Sequence, residues 1–511
     1  MGAEGPDKPR VVGNGPAGQV LTAVASHGRR VVDGSVRVFL AEALVLPTSL
    51  VTAGFLTRRL GPSGYGQFTL AATVIGWLEY TSSSLFARAT YKAIAEAEDW
   101  RPVGSMVVLM TAVASASAAV LVSVLAPVLA VWLHEPDLTR YLWLFVLDIP
   151  LFGMAQAHRN ILVGMGAFRA RAWVSAWRWS TRMVLIILLV GAGLSVTGAI
   201  LGSVGASAVE LLVSRRYVRP PLGFRRPGYP AHQLWDYAVP LFLAALALRL
   251  LDKLDLFMLT ALGGSAAQAG QYGAAQNLAV VPGLVSLSCA AVLLATLSGA
   301  LSRGEAAGAR EMGRNAMRFA VLLLPFGAMT AGASVEIVVT VYGSAFAPAG
   351  PVLGVLIFGA LAGLMLAVAS AILTAGGRPR WVLGLTAPLV PAALAGYALA
   401  IPRFGVMGAA SVTALVAVVG AAEAAWAVQS LWRTHVAVAT LGRSMIVSAG
   451  AYGAAAWWPA TGLALVVKLV AIMAAVPLAY WALGELTPRE IALVSSAARH
   501  NALVARVQGN R

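Results

Sequence analysis

What the sequence has least of is cysteine: one residue, Cys289, in a chain of 511. That excludes a disulfide within the chain and any zinc site built from several cysteines, and it says nothing about compartment. Charge is the next shortage. Asp, Glu, Lys and Arg together make up 11% of the residues, against about 25% in a soluble domain. Acids are the scarcer sign, 21 against 37 Lys and Arg. The six histidines are scattered and form no HExxH, and no GxxxxGK[ST] occurs, so neither helix-borne zinc chemistry nor a P-loop can be built. No Ser-His-Asp constellation can be argued. The segments between apolar runs are too short for a catalytic domain. The chain is expected not to be an enzyme and to carry no metal or cofactor.

What fills the chain is apolar: 59% hydrophobic residues and a mean hydropathy of +0.78. The runs approach 20 residues, the length that crosses a bilayer as a helix, and lipid admits only structures that satisfy their own backbone groups. The expected fold is an all-α polytopic membrane protein. Its fourteen spans fall near 37–55, 67–86, 104–125, 141–163, 173–192, 197–212, 235–262, 271–297, 317–341, 352–374, 381–401, 408–431, 443–458 and 464–481.

Net charge is +16 and the pI about 10.6. In a soluble chain this would point to nucleic acid. Here the basic residues sit between spans and work as orientation signals, so no nucleic-acid partner is expected. With the N-terminus inside, inner loops hold Arg88, Lys92 and Arg101; Arg159, Arg169 and Arg171; Arg215, Arg216 and Arg219; and further arginines down to the tail. Outer loops hold only Arg58, Arg59, Arg140 and Arg403. This asymmetry predicts an even span count with both termini cytoplasmic; twelve spans would satisfy it as well as fourteen. Residues 1–34 lack the apolar core of a signal peptide and read as a disordered cytoplasmic tail. Their GNGPAG is a formal GxGxxG, but no strand and βαβ unit frame it.

Three landmarks recur at nearly one offset: Tyr65-Gly66 with Tyr272-Gly273 (272 − 65 = 207), Ile161-Leu162 with Ile372-Leu373 (372 − 161 = 211), and Gly198-Ala199 with Gly408-Ala409 (408 − 198 = 210). They predict a duplication: a six-helix lobe over 35–220, a second over 221–435, two further helices over 436–485 and a cytoplasmic tail over 486–511. Such repeats commonly flank a midplane site.

The seventh span carries Arg249, Asp252, Lys253 and Asp255 within 246–259. On a continuous helix the first three share an arc of about 100°, with Asp255 about 60° beyond Asp252. Each charge costs roughly 3 kcal/mol near the midplane, so the four mark either a route for something polar or a salt-bridged latch. Gln271, Gln276 and Asn277 in the eighth span suit sugars, or hydrogen bonding between helices. Arg171, Arg178 and Arg182 repeat at helical spacing beside Trp173, Trp177 and Trp179, as an interfacial belt or as an entry surface for an anionic lipid carrier. Asp148, Glu210, Glu336, Glu423 and Lys468 are lone intramembrane charges that read as hydrogen-bond partners within the bundle.

Leu60-Gly61-Pro62-Ser63-Gly64-Tyr65-Gly66-Gln67-Phe68, following Thr57-Arg58-Arg59, resembles a signature of the polysaccharide and oligosaccharide flippase family, part of the multidrug/oligosaccharidyl-lipid/polysaccharide exporter superfamily. The Asp-bearing seventh span followed by Gly263-Gly264 and Gly270-Gln271-Tyr272-Gly273-Ala274-Ala275 is similar to that family's second-half passage. The resemblance runs over about residues 36–485. It implies a two-lobed fold that alternates its opening, and transfer of undecaprenyl-diphosphate-linked glycans to the outer leaflet of the plasma membrane. It also implies a cavity lined by spans one, two, seven and eight, with Arg249, Lys253, Arg88, Gln271 and Asn277 as substrate ligands. Asp252, Asp255, Glu42 and Glu79 then serve as charge partners or carry a coupling proton or Na⁺, and Arg178 and Arg182 receive the lipid carrier. Membrane lipids, and glycan polymerases or ligases, are the partners such a role brings. The alternatives are a multidrug or organic-cation antiporter of the same superfamily and a non-transporting scaffold for cell-envelope assembly. The GPSGYG stretch itself predicts a tight turn outside the membrane, since glycine supplies positive φ and proline locks its own φ at a negative value.

Overall fold

A computed structural model describes residues 44–84, 86–220, 253–433 and 437–485. Among these the chain is helical, with no strand, as an apolar chain without water to satisfy its backbone must be. Each expected span is mostly helical where it is described, but turns interrupt the fourth at 146–147, the eighth at 280, the ninth at 323 and 333, and the eleventh at 387–388. The third is Trp100–Trp132, the tenth Ala349–Ala375, the thirteenth Val438–Trp457 and the fourteenth Leu463–Ala482. Among the described residues six helical stretches pass for a membrane crossing on length and hydropathy, or seven if Ala306–Gly332 and Ser334–Tyr342, bent by 64°, count as one. Two of the six, Phe168–Tyr217 and Arg380–Trp432, run for 50 and 53 residues. At about 1.5 Å per residue each exceeds twice the ~30 Å hydrocarbon core, so each holds two spans.

The fold points are glycines. Helix Val45–Ser84 bends at Gly61 (φ 67°, before Pro62), Phe168–Tyr217 at Gly193 (φ 93°) inside a π-turn, and Leu389–Trp432 at Gly405 (φ 54°, after Pro402). An L side chain at these positive-φ positions would meet backbone strain of about 1–3 kcal/mol. Gly61 therefore meets the expectation for the GPSGYG stretch, but the turn is shorter than expected. Gly64 and Gly66 already lie in the following helix.

The seventh span departs from expectation. Lys253 is left-handed (φ 72°) and precedes helix Leu254–Ala261. The continuous helix assumed over 246–259 therefore does not pass through Lys253, and the angular arc drawn through it does not reach Asp255.

The chain divides into two compact units. The first gathers residues 1–52, 74–124 and 142–246. Its core is Phe86, Ile94, Val103, Val107, Ile161, Leu162 and Val174. The second gathers residues 53–73, 125–141 and 247–511. One of its cores joins Leu297, Met317, Leu364, Ile372 and Val428. Another packs Val447, Leu465, Ile472 and Tyr480 of the last two helices with Met329. Glu336 and Lys468 pair inside it, and Glu485 accepts from Arg318 Nε (2.8 Å), Arg443 Nη1 (2.8 Å) and Thr440 Oγ1 (2.7 Å).

Large apolar side chains cover the outside: Val131 is 78% exposed, Leu463 86% and Leu212 70%. A water-facing surface does not carry so many, whereas a lipid-facing one does.

Candidate functional site

In the second unit polar groups converge on Asp255, which is buried. Its place in the first turn of helix Leu254–Ala261 lets Oδ1 accept from the Leu256 N–H (2.8 Å), one of the donors a helix start leaves open. Oδ2 accepts from Tyr272 Oη (2.6 Å), Gln276 Nε2 (2.8 Å) and Thr413 Oγ1 (3.2 Å). Tyr272 and Gln276 are four residues apart on helix Ala266–Ala279, so both reach one carboxylate. Thr413 also meets the Tyr397 hydroxyl at 3.0 Å. The donors offset the desolvation of the carboxylate, which an apolar bundle would not tolerate bare.

Gln276 has a second contact. Its Oε1 accepts from Lys253 Nζ at 2.7 Å. Lys253 is exposed, so its ammonium stands at the end of a chain that runs through the amide to the buried carboxylate. Asn277, next along the helix, donates to Tyr65 Oη (2.8 Å).

The same helix is held close by its small residues. A Cβ on Gly66 would lie 1.7 Å from the Ala266 carbonyl oxygen, and one on Gly270 2.2 Å from the Pro62 carbonyl oxygen. The two landmarks of the sequence repeat thus cross each other, backbone to backbone. Glu135 secures the helix start, accepting from the Ala266 N–H (2.8 Å) and from Gln67 Nε2 (3.4 Å).

The first unit holds a separate charged cluster. Glu210, fully buried, pairs with Arg178 Nη1 (2.6 Å) and Arg159 Nε (2.9 Å). Phe152 lies against both guanidiniums, 4.2 Å from Arg178 and 5.6 Å from Arg159. Glu79 and Asp148, both buried, are within hydrogen-bond reach of each other and close to Arg178 and Arg182. Arg182 Nε donates to Ser203 Oγ (3.4 Å).

The structure brings Lys253, Asp255, Gln276 and Asn277 into one neighbourhood. Gln271, on the same helix, is half-buried. Glu79, Arg178 and Arg182 sit in the other cluster. The basic face expected along 171–182 is split, with Arg178 turned inward to Glu210 while Trp173 and Trp177 face outward. Arg88 lies on helix Ala87–Glu96. Glu42, Arg249 and Asp252 lie outside the described residues. Sequence reasoning missed Tyr272 and Thr413 as partners of Asp255, and Tyr397 behind Thr413. Tyr272 was visible only as a repeat landmark, and nothing local marked the other two. It read Asp148 and Glu210 as hydrogen-bond partners within the bundle without naming the arginines they meet. Counting acids against arginines over spans two, four, five and six would have paired them. Among the described residues no group of three or more His, Cys, Asp or Glu is placed to hold a metal ion.

The sequence matches the model of the polysaccharide biosynthesis protein family over residues 31–299. No curated protein matches it. Among solved structures it is similar to the lipid II flippase MurJ in an inward closed conformation, with 14% identity, TM-score 0.70, and coverage of 90% of this chain and 99% of that one. It is also similar to a point mutant of the Vibrio cholerae MATE transporter VcmN, at 15% identity, TM-score 0.55, and coverage of 81% and 98%. An inward-facing multidrug resistance MATE family transporter follows at 14%, TM-score 0.53, 81% and 94%. At these identities the likeness is one of fold.

Proposed function

The chain belongs to the polysaccharide biosynthesis protein family, and from that premise we propose that it is a flippase that moves a lipid-linked oligosaccharide or polysaccharide precursor, of the undecaprenyl-diphosphate type, across the plasma membrane by alternating access. The observation that carries the reading is the exposed Lys253 ammonium tied through Gln276 to the buried Asp255 carboxylate. A diphosphate needs a cation held away from lipid, and a charge-assisted hydrogen bond to Lys253 is worth about 1.5–3 kcal/mol. Arg249, four residues earlier, is the second cation. Asn277 and Gln271 offer amides to sugar hydroxyls, and Arg88 lends charge to the carrier phosphate. The fold likeness to a lipid II flippase over 90% of the chain supports the substrate class.

Asp255 is the group for a coupling proton or Na⁺, with Asp252, Glu42 and Glu79 as further charge partners. One charge crossing 100 mV supplies about 2.3 kcal/mol, enough to bias two states by tens-fold. The arginine asymmetry between loops supports cytoplasmic termini. Arg178 and Arg182 act from within the first unit rather than as an exposed landing for the lipid carrier, given the Glu210 and Ser203 contacts. Glycan polymerases or ligases are the enzymes that would use the delivered product.

The test is complementation in cells with Arg249→Ala, Lys253→Ala and Asp255→Asn. Lipid-linked glycan accumulates on the cytoplasmic leaflet while protein level stays normal. Normal glycan export by both cation variants sinks the reading. A multidrug antiporter, the reading that the MATE likeness favours, would instead leave the glycan untouched and alter drug tolerance.

A further inference from the structure

We infer that the first unit carries a binding site for an anionic glycerophospholipid, in a cavity between the start of helix Phe168–Leu189 and the end of helix Ser195–Tyr217. On the orientation proposed above, the lipid belongs to the cytoplasmic leaflet. The site itself needs only that the chain spans a membrane, and it does not depend on the glycan reading.

One face of helix Phe168–Leu189 is ordered like a lipid. Arg169, Trp173 and Trp177 follow at intervals of four, and Ser180, Val184 and Leu188 continue the line at three, four and four. Such steps stay on one side of a helix. All six residues are exposed. A cation comes first, two indoles suited to the headgroup layer come next, and aliphatic side chains follow deeper in. Arg178 and Arg182, expected to receive an anionic lipid, have their contacts inside the unit. Arg169, earlier on the same helix, keeps the surface position that Arg178 lacks.

At the head of this face lies a cavity of about 530 Å³, within the ordinary range for a bound small molecule. Phe168, Arg169, Trp173 and Tyr217 line it, together with Gly166, whose positive φ (69°) turns the chain out of helix Asp148–Gly164. The guanidinium can take two phosphate oxygens at once. The Tyr217 hydroxyl adds a donor, and the aromatic rings give the glycerol and the first methylenes an amphipathic wall.

The charge around the cavity is uncompensated. Residues 149–235 contain a single acid, Glu210, and it is buried against Arg178 and Arg159. Arg215 and Arg216 stand in the last turn of helix Ser195–Tyr217, beside Tyr217. Among the described residues Arg169, Arg215 and Arg216 form no ion pair. An acidic protein partner would answer these arginines but would leave Trp177, Val184 and Leu188 uncovered. A phospholipid uses the whole face, with its phosphate on the arginine and its acyl chains along the apolar residues.

The experiment uses the full-length protein in detergent, titrated with phosphatidylglycerol and, for comparison, with zwitterionic phosphatidylcholine. Native mass spectrometry counts the bound lipid. The wild type should hold phosphatidylglycerol more tightly than phosphatidylcholine. Arg169→Gln should weaken phosphatidylglycerol about fivefold, the share of one basic side chain at an anionic surface, and leave phosphatidylcholine unchanged. Trp173→Ala should weaken both lipids. Both residues are exposed, so neither change disturbs the core. Arg310→Gln, at an exposed arginine of the second unit, should change neither affinity. Inorganic phosphate should not displace the lipid, and undecaprenyl phosphate should bind Arg169→Gln as it binds wild type. An unchanged phosphatidylglycerol affinity in Arg169→Gln overturns the inference, as does an equal loss in Arg310→Gln, which would mean general attraction to a basic protein. Displacement by inorganic phosphate overturns it in favour of a plain anion site. A loss confined to undecaprenyl phosphate overturns it in favour of a site for the glycan carrier. Glycan export enters none of these measurements, so failure here leaves the proposed function standing.

Discussion

Glu210→Gln tests whether the first unit is held by its buried charges. Glu210 is fully buried and faces two guanidiniums, Arg178 at 2.6 Å and Arg159 at 2.9 Å, themselves nearly buried. The substitution preserves shape and removes the one group that both arginines share. Removing one partner of a buried pair costs about 3–5 kcal/mol, because a buried charge is left uncompensated. The lower end applies here, since Arg178 still lies near Glu79 and Asp148. Arg159 keeps the Gln156 side-chain oxygen, which is neutral, so it carries more of the loss. Arg159→Met, Arg178→Met and Glu210→Met together should recover much of it, as apolar replacement of a whole buried ion group is often neutral. Denaturant unfolding of the full-length protein in detergent, followed by tryptophan fluorescence, reads all three. The exposed pair Arg303–Glu305 serves as control, and Glu305→Gln should leave the midpoint where it is. If Glu210→Gln unfolds at the wild-type midpoint, the cluster does not stabilise the unit and the reasoning from burial fails.

Gly66→Ala should destabilise by about 1–3 kcal/mol or more, since its Cβ would lie 1.7 Å from the Ala266 carbonyl oxygen, backbone that cannot swing aside. Gly61→Ala, with open space around it, should cost only the strain of a side chain at φ 67°, ψ −178°, about 1–3 kcal/mol; thermal unfolding reads both, and a Gly66→Ala protein that unfolds with wild type contradicts the crossing. Glu485 supplies a pH test. Burial raises its carboxyl, but hydrogen bonds from Arg443, Thr440 and Arg318 outweigh that and hold it below the ordinary range. A depressed folded value stabilises above the unfolded carboxylate range and is lost as pH falls through it. Glu485→Gln should therefore lower stability at neutral pH and match wild type in strong acid, and a gap of equal size at both pH values refutes the pairing.

The spans were legible because a twenty-residue apolar run in lipid has only one way to satisfy its backbone. Helices such as Ala349–Ala375 and Leu463–Ala482 fall within a few residues of their expected ends. The bend at Gly61 was legible too, beside a proline, and the one at Gly405 falls in the gap between the spans expected to end at 401 and begin at 408. The break at Lys253 was not, because a lysine carries no local signal for positive φ and only its surroundings impose it. Asp255 was found as a charge out of place, but its partners Tyr272 and Thr413 come from two other helices, and Thr413 lies 158 residues away. One chain without relatives to compare holds no record of such distances. Arg178 was misplaced toward lipid because its three tryptophan neighbours suggested a belt. Glu210, 32 residues on, decides otherwise.

The crossing of residues 62–66 with 266–270 also bears on how this architecture can be rebuilt. Each stretch is the mould into which the other was cast, so bulk added to one has nowhere to go unless the other yields. A chimera that takes its first half from a distant relative and keeps its own second half would inherit only one surface of that fit. Swaps that carry residues 60–73 together with 262–277 should fold, whereas swaps that carry either stretch alone should not.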